Sequence, residues 1–481
     1  MQDLRVDVFI YEPQGIVRLS VQEPTLTNSL SNMDTIIDPK SATYHEIHYT
    51  LSPERQRLLD SGGNLGDFVV FYDISDRSDV GYIVRNGDYF AHFFSVPEDD
   101  LNVLGKNVVF VMDISGSMSG QKITQTRDAM VTILKQLTAN DNFAMIFFDD
   151  EQLFWPERER RLVQGNGDYV SQARAFALDK LRADGGTGIN EALLSACQMF
   201  GSVESARGQN TIVFLTDGLP STGVTDPRAI VANVVEACGG VNIFSLGFGF
   251  DVDFELLEKI STRTGGWARR IYDEVDASVQ LENFFREIGS PLLYNVLFNY
   301  PHNTIDANSL TQTQFPQYFS GSELVVGGKV LEATPNLQVS ITANVLALEP
   351  AVRSASVDFS DLQVPEEAAA AVPNERFLER LYAYMKIKDL LRSALLTDDV
   401  ARINETNQYA LRLSLDYHLV TPLTSLLIVE PDQDRERTQI TQSGGMQKDD
   451  YMNKIHTDMS SAFVLQPSLV FVFASVLSFY F

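Results

Sequence analysis

The chain has 481 residues, 44% hydrophobic and 21% charged, which is long enough for about two to four globular domains. Its formal net charge of −27, from 37 basic and 64 acidic residues, argues against a nucleic-acid partner because phosphate would be repelled. Cys197 and Cys238 are the only cysteines, which excludes a disulfide framework and a cysteine zinc cluster. One bridge between them and two separate buried thiols are both compatible with the sequence.

The N-terminal part of the chain has the pattern of β structure. Residues 3–21 alternate apolar and polar side chains around a turn at residues 13–15, and residues 22–40 are polar and predict a linker. Strand-like runs separated by Asp-, Gly- and Ser-rich turns follow at residues 44–50, 68–72 and 89–94. We therefore expect an all-β segment before residue 106.

From Lys106 the pattern changes to alternating strands and helices. Strands are expected at residues 106–113, 143–148, 211–217, 241–247 and, more weakly, 267–272. Helices are expected at residues 123–137, 169–181, 189–200, 227–237, 254–262 and 275–288. Regular alternation of this kind predicts a doubly wound parallel sheet, and an apolar run such as Val108 to Met112 suits a strand buried on both faces.

The β pattern returns after Pro291, with strand-like runs at residues 293–300, 323–330 and 337–343. The expected fold class is therefore α/β plus all-β. A doubly wound α/β domain at residues 106–289 is inserted into a β-sandwich whose halves are residues 41–105 and 290–350. A helical segment with a terminal strand follows at residues 366–430, with helices expected at residues 368–371 and 375–396.

The two ends of the chain differ in composition. No basic and apolar leader precedes Arg5, so we expect an N-terminal signal to be missing from this chain. Residues 431–460 are polar and predict a disordered linker. Residues 461–481 form a hydrophobic tail whose length suits a membrane span or a GPI attachment signal. Asn404, in the only Asn-x-Thr sequence, is a candidate glycosylation site.

Polar side chains follow two of the predicted strands of the α/β domain. Asp113 ends the first strand and is followed by Ser115 and Ser117, while Asp217 ends the strand at residues 211–217. Thr187 lies in a glycine-rich turn before a helix. Because ligands of open α/β sheets bind beyond the carboxyl ends of the strands, we expect these five side chains to meet at one edge. Two carboxylates and three hydroxyls suit Mg²⁺, Ca²⁺ or Mn²⁺ rather than zinc.

This set resembles the metal-ion-dependent adhesion site of a von Willebrand factor A domain, which has Asp-x-Ser-x-Ser, a distant Thr and a distant Asp in Thr-Asp-Gly. The resemblance implies that Mg²⁺, or else Ca²⁺ or Mn²⁺, is approached by the serines and the threonine. It also implies that the aspartates bind the metal directly or through water, and that an acidic residue of a partner fills the open position. Taken singly, each residue is also typical of a helix cap or a turn.

Stretches outside this domain are similar to heavy chains of the inter-α-trypsin inhibitor family, from about residue 5 to 430. The similar stretches are residues 9–15, 89–94, 244–253, 290–293, 318–326, 379–384 and 418–424. Members of the family are secreted, and some are esterified to chondroitin sulfate on hyaluronan-associated matrix through an aspartate before Pro-His. Asp-Pro-His does not occur here, so that transfer is not expected. The resemblance also implies that residues 1–35 are the C-terminal end of a truncated VIT-like β domain.

These features favour an extracellular, metal-dependent adhesion or matrix-binding protein, secreted or anchored at the cell surface by its tail. The expected partner is an extracellular protein with an exposed Asp or Glu, or a matrix glycosaminoglycan complex. An alternative is a membrane-tethered accessory subunit of a channel or receptor. A metal-dependent hydrolase using Asp113 is a further alternative, but Ser115 stands where aspartyl-phosphate phosphatases carry a second aspartate. We expect no enzymatic activity.

Overall fold

The computed structural model describes residues 4–12, 15–22, 35–52, 69–74, 80–96, 105–157, 160–202, 208–272, 277–301, 303–331, 336–346, 349–358, 360–361, 377–427, 439–442 and 473–474. Among these residues, seven strands precede the α/β domain. They are β1 Leu4–Tyr11, β2 Ile16–Gln22, β3 Thr35–Pro39, β4 Tyr44–Leu51, β5 Val69–Ile74, β6 Tyr82–Asn86 and β7 Tyr89–Phe94.

The α/β domain contains seven strands and six α-helices among its described residues. The strands are β8 Lys106–Asp113, β9 Asn142–Phe148, β10 Gln152–Trp155, β11 Val163–Gln164, β12 Gln209–Thr216, β13 Val241–Phe248 and β14 Ala268–Ile271. The helices are α1 Gln121–Leu134, α2 Gly167–Lys180, α3 Ile189–Met199, α4 Pro227–Ala237, α5 Phe254–Arg263 and α6 Ala277–Ile288.

The remaining elements follow the α/β domain. They are β15 Pro291–Asn299, β16 Ile305–Asp306, β17 Gln314–Phe319, β18 Leu324–Val330, β19 Asn336–Leu346, β20 Glu349–Asp358, β21 Ser360–Asp361, α7 Phe377–Leu395, α8 Val400–Asp416, β22 Thr424–Leu427, β23 Gln439–Gln442 and β24 Phe473–Ala474.

The sheet of the α/β domain has the strand order β10-β9-β8-β12-β13-β14, and β11 also pairs with β9. Strands β9, β8, β12, β13 and β14 run parallel, while β10 and β11 run antiparallel to β9. Alternate residues of β8 enter two separate cores, with Val108 and Phe110 on one face and Val109 and Val111 on the other. Helices α1, α2 and α6 cover the first face, and α3, α4 and α5 cover the second. The predicted doubly wound parallel sheet is confirmed; the antiparallel strands β10 and β11 were not predicted.

Strands from before and after the α/β domain share one sheet. Strand β7 pairs with β18 along its whole length, and the full order is β16-β18-β7-β6-β21. This sheet packs against a second one, β17-β15-β19-β20, through a core that includes Phe94, Val296, Val326 and Val339. The chain therefore leaves this β unit at β7 and returns to it at β15. The limits of the individual domains stay predictions.

The N-terminal strands pair across the predicted boundary between residues 1–35 and residues 41–105. Strand β1 pairs with β4 over eight residues, and β3 pairs with the other edge of β4. Strand β3 lies inside the stretch at residues 22–40 that was expected to be a linker. Its sequence, Thr-Ile-Ile-Asp-Pro, places three β-branched residues in a row, which favour an extended backbone.

The described residues of the C-terminal part include two helices. Helix α7 matches the one expected at residues 375–396, whereas α8 follows it as a separate helix capped by Asp399, which accepts from the backbone N–H of Ala401 at 2.9 Å. The helix expected at residues 368–371 lies outside the described residues. So do the linker at 431–460 and the tail at 461–481, apart from β23 and β24. In the parts of the chain that are described, no helix is long and apolar enough to cross a membrane.

The two cysteines form a disulfide bond. Cys197 lies on α3 and Cys238 directly follows α4, and these helices pack side by side on one face of the parallel sheet. The sequence had left open whether they pair. The bond joins α3 to the end of α4, and the two cysteines are 41 residues apart in the chain.

Candidate metal centre

The five predicted metal ligands lie at the carboxyl edge of the parallel sheet. Asp113 is the last residue of β8, Asp217 directly follows β12, and Thr187 lies two residues before α3. From β8 the chain first builds the sheet outward through β9 and then crosses to β12 on the other side. The strand order thus reverses between β8 and β12, which is the point at which open α/β sheets bind their ligands.

The carboxylate of Asp113 is completely buried and held by two donors. Its Oδ1 accepts from the backbone N–H of Ser115 at 2.7 Å, and its Oδ2 accepts from the Thr216 hydroxyl. Burial raises the pKa of Asp113 to about 6, although the hydrogen bonds from Ser115 and Thr216 oppose this and the charge of Asp217 adds to it. A cation at this position would favour the charged carboxylate.

The two serines connect this carboxylate to Asp217. The Oγ atoms of Ser115 and Ser117 lie 3.1 Å apart, and Ser117 donates to Asp217 Oδ1 at 2.7 Å. Lys122 Nζ donates to the second oxygen of Asp217, Oδ2, at 2.7 Å. Four of the five predicted residues are therefore joined in one hydrogen-bond network.

Thr187 is the fifth residue and is 5% exposed. A Cβ atom placed on Gly218 would lie 3.2 Å from Thr187 Oγ1 and 3.5 Å from Ser117 Oγ, so both hydroxyls face the glycine backbone. Ser221 fastens the two loops to each other, since its Oγ accepts from Thr187 N at 2.8 Å and its N–H donates to Thr187 O at 3.0 Å. The structure thus brings all five residues to one loop cluster.

The donor set fits a hard divalent cation. It offers carboxylate and hydroxyl oxygens, which are the ligands that Mg²⁺, Ca²⁺ and Mn²⁺ prefer. In the described part of the chain, no group of three or more His, Cys, Asp and Glu side chains is arranged to hold a metal. Three of the five proposed ligands are hydroxyls, and one of them, Ser117, is exposed.

Three residues of the site were not identified from the sequence. Thr216 orients the buried Asp113, Lys122 pairs with Asp217, and Ser221 fastens the Thr187 loop. The only sequence feature that could have identified one of these three residues is the position of Thr216 at the end of a buried strand, next to Asp217. Asn404 is exposed on helix α8, and its glycosylation stays a prediction.

Comparisons with known proteins agree with this fold. Residues 107–287 match the von Willebrand factor type A domain family. Over 457 residues, 92% of the chain, the sequence is 38% identical to inter-alpha-trypsin inhibitor heavy chain H4 of Homo sapiens, of which it covers 47%. It is 33% identical over 456 residues, also 92% of the chain, to heavy chain H3 of Mus musculus, of which it covers 50%.

A solved structure, von Willebrand factor type A from Catenulispora acidiphila, has a TM-score of 0.50 and 15% identity. That match covers 78% of this chain and 91% of the other, and it supports the fold alone. The chain spans about half the length of the curated relatives that it matches. The resemblance predicted from the sequence is thus confirmed: the chain carries a von Willebrand factor type A domain and is similar to the inter-α-trypsin inhibitor heavy chains over most of its own length.

Proposed function

We propose that this chain is an extracellular adhesion or matrix-binding protein that binds an acidic group of its ligand through a divalent cation. Mg²⁺ is the proposed cation, with Ca²⁺ and Mn²⁺ as alternatives. Asp113, Ser115, Ser117, Thr187 and Asp217 would hold it. The observation that carries this proposal is the continuous hydrogen-bond network from Asp113 through the two serines to Asp217 at the reversal point of the sheet.

The charge of the site suits an anionic ligand. A bound divalent cation would supply a Lewis acid that a carboxylate can approach. Of the five proposed ligands, only Asp113 and Asp217 carry negative charge, and the other three are neutral hydroxyls. The Asp113 carboxylate is held in place by Thr216 and Ser115, so the site is ordered before a ligand arrives.

The disulfide between Cys197 and Cys238 supports an extracellular location, because such bonds persist in oxidising compartments. The proposed partner is an extracellular protein with an exposed Asp or Glu, or a glycosaminoglycan complex of the matrix. Anchoring through the tail at residues 461–481 rests on the hydrophobic sequence alone. The alternative of a membrane-tethered accessory subunit differs in its partner, and the similarity to heavy chains favours adhesion or matrix binding.

Catalysis by Asp113 is not part of the proposal. Its carboxylate is fully buried, and both oxygens accept hydrogen bonds, from the Ser115 N–H and the Thr216 hydroxyl. A nucleophile has to reach its substrate, and a general base has to reach the proton that it removes. The chain is therefore proposed to act as a binding protein and not as a hydrolase.

Calorimetry of the metal-stripped full chain with Mg²⁺ and Mn²⁺ tests this function. We expect one bound ion for the wild type and a loss of affinity of roughly 100-fold or more in Asp113→Asn, equal to about 2.7 kcal/mol. Asp128→Asn is a matched control, because Asp128 is an exposed aspartate on α1 and loses the same charge. Absence of binding by the wild type, or equal affinity in Asp113→Asn, would contradict the proposal.

A further inference from the structure

Lys122 approaches the candidate metal site from the first turn of α1. Its ammonium lies 2.7 Å from Asp217 Oδ2, and the side chains of Lys122 and Asp217 are 19% and 0% exposed. The other oxygen of Asp217 accepts from Ser117, so the two sides of this carboxylate have different partners. Lys122 Nζ also lies 5.9 Å from the centre of the Phe248 ring, at the end of the neighbouring strand β13.

The position of this pair distinguishes it from a surface ion pair. Exposed pairs contribute little because water and salt screen them. Here the carboxylate is fully buried, and an unpaired buried charge is strongly unfavourable. Lys122 therefore compensates the charge of Asp217 while the lysine itself keeps some contact with solvent.

Asp149 and Asp150 lie beside the glycines that precede Thr187 whether or not Lys122 is present, so the effect of the lysine follows from the charges of Asp113, Asp217 and Lys122. These three residues together carry a net charge of −1 when all are ionised, and a divalent cation brings their sum to +1. One carboxylate of a ligand then brings it to zero. Without the lysine the same steps would give −2, zero and −1, so the site would bind the cation more tightly and would attract an anion less.

We propose that Lys122 is an internal countercharge that weakens cation binding and makes the cation-loaded site selective for an anionic ligand. This inference rests on the proposed function of the same site. Before a cation binds, Lys122 holds Asp217 in place of the cation. Once a cation is bound, the ammonium repels it and adds one positive charge to the surface that meets the ligand.

The first test is the Mg²⁺ and Mn²⁺ affinity of the full chain, measured by calorimetry. Because an ammonium 2.7 Å from a proposed ligand carboxylate would repel a divalent cation bound there, we expect Lys122→Gln and Lys122→Met to bind Mg²⁺ about tenfold more tightly than the wild type. Lys122→Arg keeps the charge and should stay within about twofold. Lys135→Gln is a matched control, because it removes the same charge from the exposed end of α1, about 20 Å away.

The second test uses acetate as the anionic probe. Binding of acetate to the Mn²⁺-loaded protein can be followed by water proton relaxation, which falls when acetate displaces water from the ion. We expect acetate affinity to fall about tenfold in Lys122→Gln and to stay at the wild-type level in Lys135→Gln. Lys122→Met keeps the aliphatic stem of the lysine, so it replaces Lys122→Gln if circular dichroism shows that the latter is unfolded.

The outcomes separate this inference from the proposed function. If the wild type binds neither Mg²⁺ nor Mn²⁺, the proposed function fails and the role of Lys122 fails with it. If the wild type binds metal but the charge-removing variants bind it equally or more weakly, the role of Lys122 is wrong and the proposed function stands. A chelator-treated Lys122→Gln protein should also melt below Lys135→Gln, because the buried Asp217 loses its partner, and equal melting temperatures would overturn the inference.

Discussion

The parallel sheet carries a lysine–aspartate pair at each end, and the two pairs differ in what surrounds the carboxylate. At the amino end, Lys106 Nζ lies 3.1 Å from Asp141, and the side chains are 8% and 2% exposed. Asp141 also accepts from the backbone N–H of Lys106 at 3.2 Å and from both the N–H and the hydroxyl of Thr138 at 2.7 and 3.0 Å. At the carboxyl end, Asp217 meets Lys122 and the hydroxyl of Ser117.

The amino end is also closed by side-chain amides. Asn142 donates to Asn107, and Asn107 donates to Asn210, each at 3.0 Å, which links three neighbouring parallel strands. These amides and the Asp141 pair are partnered within the protein, so this end stabilises the fold. The carboxyl end presents hydroxyls, whose oxygens can turn towards a cation, and is therefore suited to ligand binding. The two lysine–aspartate pairs thus differ in the groups that surround them, and those groups suit one end of the sheet to stability and the other to ligand binding.

The largest expected effect separates stability from metal affinity. Asp141→Asn should lower the free energy of unfolding by about 3 kcal/mol or more, because Lys106 would be left charged, buried and unpaired, while Mg²⁺ affinity should stay unchanged. Asp217→Asn should lower the Mg²⁺ affinity and leave the free energy of unfolding nearly unchanged, because Lys122 is more exposed and can reach water. Urea denaturation and calorimetry of both variants measure the two quantities. Equal stability losses in the two variants would show that the ends of the sheet do not differ.

His92 is an acid-sensitive group in the β unit, and it lies in a different sheet from the two lysine–aspartate pairs. His92 Nε2 lies 2.7 Å from Val80 O, and its Nδ1 lies 2.8 Å from the Tyr300 hydroxyl. Nε2 therefore carries the proton and Nδ1 accepts, which describes a neutral ring. Burial lowers the pKa of His92 to about 4, opposed in part by the bond to Val80.

The folded chain thus binds this proton less readily than the unfolded chain. Stability is complete above the ordinary histidine pKa of about 6.5 and falls by up to about 3 kcal/mol as the pH drops towards 4. Urea denaturation between pH 7 and 4 measures this loss, and His92→Gln should remove much of the slope. A variant with the wild-type slope would place the acid sensitivity elsewhere, for example at the ends of the parallel sheet.

The smallest expected effect probes the close contact at the metal site. In Gly218→Ala the new methyl group would lie 3.2 Å from Thr187 Oγ1, so the threonine has to shift. We expect Mg²⁺ affinity to fall about fivefold, close to 1 kcal/mol, with little change in stability. Gly239→Ala is a matched control, because its Cβ would meet nothing within 4 Å. Equal Mg²⁺ affinities in the two variants would mean that Thr187 does not approach the cation.

Much of the fold could be predicted because its signals are local. The run from Val108 to Met112 is apolar at every position and ends at turn residues, which suits a strand buried on both faces. Strands β10 and β11 were missed because they are only four and two residues long, and they form by pairing with β9. Pairing with a distant strand leaves no periodic pattern in a segment of two to four residues.

By itself, the sequence determined which side chains could hold a cation, since Asp113, Ser115, Ser117, Thr187 and Asp217 follow the ends of predicted elements. Only the tertiary structure decided how those side chains are held. The bond from Thr216 to Asp113 depends on the alignment of β8 with β12, and the pairing of Lys122 with Asp217 depends on where α1 packs. Residues about 100 positions apart meet there, because burial of both faces of the sheet fixes the positions of strands and helices together.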